Sequence, residues 1–145
     1  MKPILLAKGR VSNPIWSPDG RALLFLREVQ ANVLLSELHQ ALPETGAEQR
    51  LAPTSQFAAF APNGDASVFV GASRSKAQPN IILLLRAVKR EFTLCEHRAS
   101  HPALVSPVFS PDSRRVYFQS DREGKSALYS VNVERLVEPT QGNST

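Results

Sequence analysis

The chain has 145 residues, 42% of them hydrophobic, and a formal net charge of +4. This length and composition suit one domain with a hydrophobic core and exclude a disordered chain. The basic residues are scattered among acidic ones, and most aromatic residues lie in apolar runs. We therefore expect no nucleic-acid binding.

Near the N-terminus, residues 4–7 form a short apolar stretch. It is too short for the apolar region of a secretory signal or for a bilayer span. We therefore expect no membrane insertion and, by default, a cytoplasmic location. Residues 3–7 instead predict a short outer β-strand.

Three similar turn motifs follow along the chain, each beginning with an aromatic residue. Proline presets the backbone of a tight turn, Asp or Asn bonds its own backbone nearby, and Gly accepts a positive φ. The turn aromatics are 44 and 49 residues apart, which indicates a repeated supersecondary unit. The defining residues are Trp16, Pro18, Asp19 and Gly20; Phe60, Pro62, Asn63 and Gly64; and Phe109, Pro111 and Asp112.

Each turn precedes an apolar run that carries a phenylalanine nine residues after the turn aromatic: Phe25, Phe69 and Phe118. These runs predict second strands at 22–26, 66–70 and 115–119. Third strands are predicted at 32–35, 80–85 and 127–131. Fourth strands are predicted at 48–52 and 91–95, with a weaker one at 135–137. Each repeat is therefore expected to contain four strands.

A repeat of four antiparallel strands has the size of one β-propeller blade. The predicted fold is all-β, with three successive four-stranded antiparallel sheets in a single domain over 1–138 and a polar tail over 139–145. Blade 1 is predicted at about 13–53, blade 2 at about 56–97 and blade 3 at about 105–137. The chain would then be a partial propeller or half of a six-bladed ring.

Three blades leave two sheet faces without a neighbouring blade. Exposed apolar faces of that size favour association. Two closures are therefore open: a homodimer in which two chains pair head to tail, with residues 3–7 as a closing outer strand, or a longer propeller whose further blades complete the ring.

The turn motif, the strand carrying Phe, and Ser120-Asp121-Arg122-Glu123-Gly124 before the strand at 127–131 resemble the WD40-like (PD40) repeat of TolB-type β-propellers. This resemblance implies a module that binds a protein or polymer partner, in a family that is often periplasmic. More distantly, the region from His101 to Gly124 resembles the oligogalacturonate lyase propeller. That family's His-x-His-Pro metal ligands are missing, because Leu104 and Ser106 stand before Pro107.

The sequence contains no catalytic constellation: there is no Gly-x-Ser-x-Gly elbow, phosphate-binding loop or dinucleotide fingerprint. Glu96, His97 and His101 lie close to Cys95, but a structural zinc site joins two ligand pairs and no second pair is present. These three residues are weak metal candidates, and we predict no metal or cofactor.

The sequence therefore favours a non-catalytic propeller module whose loops bind a protein or polymer. The alternative is a partial or degenerate polysaccharide lyase, with Glu96, His97, His101 and Arg122 lining a sugar-binding face. We expect a binding module rather than an enzyme.

Overall fold

The computed structural model describes residues 1, 3, 10–30, 33–54 and 56–134. Its elements are strands, apart from one 3-10 turn at Pro102–Leu104. The strands are β1 (Val11–Trp16), β2 (Leu23–Gln30), β3 (Val33–Ala41), β4 (Glu48–Pro53), β5 (Phe57–Pro62), β6 (Val68–Ser73), β7 (Asn80–Leu85), β8 (Arg90–Glu96), β9 (Val108–Phe109), β10 (Arg115–Ser120) and β11 (Ala127–Asn132). In this part of the chain, no helix has the length and apolar character to cross a membrane.

The strands form three consecutive antiparallel sheets in chain order. Blade 1 contains β1 to β4, blade 2 contains β5 to β8, and blade 3 contains β9 to β11. The predicted all-β fold of successive blades is confirmed, except that the third sheet has three strands in the described residues. The fourth strand predicted at 135–137 lies outside those residues, as do the tail over 139–145 and all but Pro3 of the strand predicted at 3–7.

The turn between the first and second strands closes with the same backbone hydrogen bond in each blade. Its donor and acceptor are five residues apart, with N···O distances of 2.8, 2.9 and 2.8 Å. The pairs are Ser17 with Ala22, Asn63 with Val68, and Ser110 with Arg115. The turns therefore repeat after 46 and 47 residues, a more even spacing than the turn aromatics suggest.

This register corrects the sequence alignment of blade 2 by two residues. Asn63 takes the place of Ser17, and its side-chain oxygen accepts the N–H of Val68 at 3.1 Å. The residue equivalent to Gly20 is Ala66, with φ 58°, whereas Gly64 does not adopt a positive φ. The alignment failed because Phe60 and Phe69 have the expected nine-residue spacing while the true counterparts of the turn aromatics are not all aromatic.

The aspartate of each turn makes the same hydrogen bond to the backbone in all three blades. Asp19, Asp65 and Asp112 each accept the N–H of the residue two positions later at 3.0 Å. A serine hydroxyl also bonds each carboxylate and is the main cause that lowers its pKa. Asp19 and Asp112 thus bond the backbone of their own turns, as Asp65 does in blade 2. Asn63 takes part in the same turn as Asp65, because its side-chain oxygen also accepts the N–H of Ser67 at 3.0 Å.

Two hydrophobic clusters lie on the two sides of blade 2 and join it to its neighbours. The cluster shared with blade 1 includes Leu24, Leu26, Leu38, Phe57 and Phe69, and the cluster shared with blade 3 includes Val70, Ile81, Leu83, Val116 and Phe118. Every residue of β6 is buried. Blade 2 is therefore the centre of the core.

A pair of stacked rings crosses from the second to the third strand in blades 1 and 3. The pairs are Phe25 with His39 and Phe118 with Tyr129, with ring centres 5.7 and 5.6 Å apart. In blade 2 the second strand carries Gly71 at this position, and the buried ring of Phe57 fills the space. A Cβ atom at Gly71 would lie 2.4 Å from that ring.

Candidate binding groove

Three depressions adjoin at the end of the blades where the second strand connects to the third. The first strands of successive blades contact one another, and the inner depression lies at their end. The inner and middle depressions share Pro102, and the middle and outer depressions share Ala99. We call the three together the inter-blade groove.

The inner depression has a volume of about 410 Å³ and takes its lining from blade 1, blade 2 and the connection to blade 3. Its lining includes Arg10, Asn13, Glu28, Ser36, Arg74 and Pro102. Most of them are polar, so the depression suits a hydrated or charged group.

Asn13 fixes the wall between the first strands of blades 1 and 2. Its φ of 56° lies in the left-handed region, which Asn tolerates better than most residues. This conformation accompanies an irregularity in the pairing of β1 with β2. The side-chain amide then donates to the carbonyl oxygen of Ala58 at 2.9 Å.

The carbonyl oxygen of Phe57 organises the floor of the same depression. Arg74 Nη2 donates to it at 2.9 Å, and the hydroxyl of Ser36 lies 3.4 Å away. Ser36 is buried and also lies 3.3 Å from the hydroxyl of Thr54. The side chains of Arg74 and Ser36 are thus held by a backbone carbonyl and a neighbouring hydroxyl group.

Arg74 is the cation of the inner depression that has no carboxylate partner among the described residues. Its Nε is buried without a hydrogen-bond acceptor there. The other two charges face each other, with Arg10 Nε 3.8 Å from Glu28 Oε2. The inner depression therefore carries a net positive charge at Arg74.

The middle depression has a volume of about 540 Å³ and contains both Lys76, an exposed cation, and the ion pair of Glu96 with Arg98. The Glu96 and Arg98 side chains are 3.0 Å apart. The Arg98 hydrogen bond lowers the pKa of the Glu96 carboxyl. Glu96 is thus an ionised, paired carboxylate rather than a proton donor.

His97 lies behind the groove and is fully buried. Its Nδ1 accepts the N–H of Ala99 at 3.0 Å, so Nε2 carries the proton and donates to the carbonyl oxygen of Ser73, also at 3.0 Å. Burial lowers the pKa of the ring. His97 is a neutral link between blade 2 and the connection to blade 3, and it has no free nitrogen for a metal ion.

The outer depression, of about 170 Å³, contains His101 and Asp121. Asp121 accepts the N–H of Ser100 at 2.8 Å, and the hydrogen bonding of Ser100 is the main cause that lowers the pKa of this carboxyl. Arg122 donates to the carbonyl oxygen of Glu96 at 3.1 Å, and its guanidinium carbon lies 5.7 Å from the ring centre of Tyr129. Arg122 therefore braces the loop between β8 and β9.

The weak metal candidates predicted from sequence thus have separate roles. Glu96 pairs with Arg98, His97 is buried and bonded at both nitrogens, and His101 is exposed in the outer depression. Over the described ranges, no group of three or more His, Cys, Asp and Glu side chains is placed to hold a metal ion.

Arg74, Asn13 and Ser36 were missed by the sequence reasoning. None belongs to a motif. They meet because β1 and β3 of blade 1 lie beside the start of β5 and the end of β6 in blade 2. The sequence did contain one signal. Arg74 immediately follows a run of apolar and small residues, and this pattern is typical of a charged residue at the end of a buried strand.

No protein-family model matches the chain, and the curated proteins contain no match. Among solved structures, an oligogalacturonate lyase in complex with manganese is 25% identical, with a TM-score of 0.75 over 87% of this chain and 36% of that chain. An oligogalacturonate lyase from Vibrio parahaemolyticus is 23% identical, with a TM-score of 0.76 over 92% of this chain and 38% of that chain.

TolB from Acinetobacter baumannii is 14% identical, with a TM-score of 0.70 over 98% of this chain and 32% of that chain. This chain therefore spans between 32 and 38% of the length of these three neighbours. The resemblance predicted from the turn motifs is confirmed at the level of the fold: the chain folds as consecutive blades of a TolB-type β-propeller.

Proposed function

We propose that this chain is a non-catalytic propeller module that binds a protein or polymer partner in the inter-blade groove. The observation that carries the proposal is that the three depressions adjoin, the inner and middle ones at Pro102 and the middle and outer ones at Ala99. A row of adjoining depressions at the end of the blades can receive several successive units of an extended ligand, whereas a small substrate needs only one enclosed pocket.

The charges in the groove favour binding over chemistry. Catalytic side chains need a free lone pair or a proton at the reacting atom. The ring nitrogens of His97 are both bonded to the backbone, and Glu96 is held by Arg98. Arg74 instead offers a fixed positive charge, which suits an acidic group on the partner.

The proposal is tested with two labelled acidic probes, an oligogalacturonate and a poly-glutamate peptide, in fluorescence titrations of the full chain. We expect at least one probe to bind and Arg74→Gln to weaken its binding about tenfold or more, as the loss of a charged hydrogen bond does. The matched control is Arg86→Gln. Arg86 is also half-buried and also donates to a backbone carbonyl, that of Ala66, but it lies at the opposite end of the blades.

Binding of neither probe, or equal weakening by both arginine variants, would contradict the proposal. The first result would show that the groove has no affinity for acidic polymers. The second would show that the effect of Arg74 is a general effect of charge and not a contact in the groove.

The second candidate function is a degenerate polysaccharide lyase. It is favoured by the 25% identity with an oligogalacturonate lyase in complex with manganese. The same oligogalacturonate is therefore incubated with the chain and Mn²⁺ while the ultraviolet absorbance of an unsaturated product is followed. Under the first candidate the absorbance stays constant, and an increase that depends on the chain would establish the lyase instead.

A further inference from the structure

The outer face of blade 3, which points away from blade 2, carries apolar side chains that are exposed. Leu128 is 77% exposed and Tyr117 is 40% exposed. The repeat register makes Leu128 equivalent to Leu38 and Ile81, and Tyr117 equivalent to Leu24 and Val70. These four counterparts are at most 1% exposed, because they pack against the next blade. The outer face of blade 3 is therefore built on the positions of a blade-to-blade contact.

This face is more polar than the two contacts inside the chain. Exposed Arg115 replaces buried Ala22 and Val68, and Gln119 replaces buried Leu26 and Ala72. A contact within one chain can be fully apolar because it is covered once the chain has folded. A contact between separate chains needs polar groups that keep each free chain soluble, and it is anchored by a few apolar side chains.

The outer face of blade 1, which points away from blade 2, carries the matching half of such a contact. Its Phe25 and His39 repeat the stack formed by Phe118 and Tyr129, which in blade 3 packs towards blade 2. Around the stack lies a rim of four charged side chains. They are Arg27, 2.8 Å from Glu48, and Arg50, 2.6 Å from Glu37.

We propose that two copies of this chain join head to tail, with the outer face of blade 3 of each copy against the outer face of blade 1 of the other. The two faces have the same mixed character: exposed apolar side chains beside Arg115 on one, and a ring stack beneath paired charges on the other. Two identical contacts of this kind close a ring of six blades, within the four to eight blades that propellers contain. This assembly is independent of what the inter-blade groove binds.

The mass of the full chain in solution, measured by sedimentation equilibrium, tests the assembly. We expect twice the protomer mass of 15.9 kDa. Leu128→Asp should weaken dimerisation about tenfold or more, since a charge then replaces a central apolar anchor. Val88→Asp is the matched control: Val88 is 58% exposed but belongs to blade 2, both faces of which are covered within the chain.

A mixing experiment distinguishes head-to-tail contacts from pairing of two identical faces. Arg50→Asp places a third carboxylate on the rim of blade 1 and should also give monomers. Mixing the Leu128→Asp and Arg50→Asp chains should restore dimers, because the mixed pair retains one unaltered contact. Pairing of blade 3 with blade 3 would leave the Arg50→Asp chain dimeric, and would overturn the proposal.

The proposal also fails if the unaltered chain has the protomer mass at all concentrations. Retention of the dimer mass by Leu128→Asp would likewise refute it, because the dimer would then use a different surface.

Discussion

At the scale of single residues, the left-handed position of each turn has different occupants in the three blades. Gly20, Ala66 and Ser113 adopt φ values of 72°, 58° and 62°. Glycine takes this conformation without steric cost, whereas other L-residues are strained by their Cβ. At this turn position, blades 2 and 3 therefore carry a local strain that blade 1 lacks, and the hydrogen bonds accepted by Asp65 and Asp112 help to hold the two turns in place.

The register of blade 2 can be checked by a matched pair of glycine substitutions. Gly20→Ala should destabilise the protein by about 1 kcal/mol, because Ala is strained at this φ. Nothing within 4 Å would touch the new methyl group, so packing does not contribute. Gly64→Ala should cost little, since its φ is not positive and its Cβ would lie 3.4 Å from Ser113 Oγ. Urea unfolding compares the two; equal losses would restore the alignment inferred from the sequence.

His97 gives the protein a pH dependence of known sign. Its pKa is lowered from 6.5 by burial, so below pH 6.5 the unfolded chain binds more protons than the folded one. The contribution of the neutral ring to stability is complete above pH 6.5 and is lost as the pH falls towards the lower folded-state pKa. We expect the free energy of unfolding to decrease over this window.

The measurement is urea unfolding between pH 7.5 and 5, with His97→Gln compared with the native chain. The variant should be less stable at pH 7.5 but should lose less stability on acidification. His101→Gln is the control, because it removes an exposed histidine from the same loop and leaves His97 in place. An unchanged slope in His97→Gln would assign the dependence to another group.

At the scale of elements, the same position of the third strand contributes very differently to folding stability in blades 2 and 3. Ile81 in β7 is fully buried, and its equivalent in β11, Leu128, is 77% exposed. Ile81→Ala should cost about 2 to 5 kcal/mol, because it removes core packing and leaves a cavity. Leu128→Ala should change protomer stability by less than about 0.5 kcal/mol.

The free energies of unfolding of these two variants are compared at low protein concentration, where the chain is monomeric. Similar losses in both would mean that Leu128 is covered within its own chain. That result would also remove the basis for the exposed outer face of blade 3.

Strands with clear alternation or with apolar runs between turn residues were predicted well from the sequence. The prediction at 80–85 coincides with β7, and the one at 127–131 falls one residue short of β11. β3 was predicted only at 32–35 but extends to Ala41, because Ser36, Glu37 and His39 interrupt its apolar pattern. Pairing of β3 with β2 and β4 over its whole length and the contacts of Glu37 with His39 and Arg50 support these polar residues. A local pattern does not contain that information.

The groove was less predictable than the strands. The sequence reasoning chose residues around Glu96 and His101 because their side chains are chemically reactive, and those residues do line the middle and outer depressions. Arg74 has no motif around it. It stands out only in the folded chain, where none of the described carboxylates pairs with it. Pairing between distant side chains is a property of tertiary structure and is not written in local spacing.

At the scale of the whole molecule, the three blades differ in how far they depend on their neighbours. Blade 2 is packed on both sides, whereas blades 1 and 3 are each packed against blade 2 on one side. Blade 1 also balances charge on its outer face, where Glu48 Oε2 lies 2.8 Å from Arg27 and 2.6 Å from His39 Nδ1. The outer faces of blades 1 and 3 thus carry charged side chains that the contacts inside the chain lack.

The complete burial of β6 sets the order in which backbone amides exchange with deuterated water. The strand is paired with β5 and β7 within its own blade and is buried throughout, so exchange of its amides should report global unfolding. Amides of β11 should exchange faster, through local opening at the edge of blade 3. Exchange measured by mass spectrometry should therefore rank the second strand of the middle blade as the slowest segment, although it lies halfway along the chain and carries no cross-link.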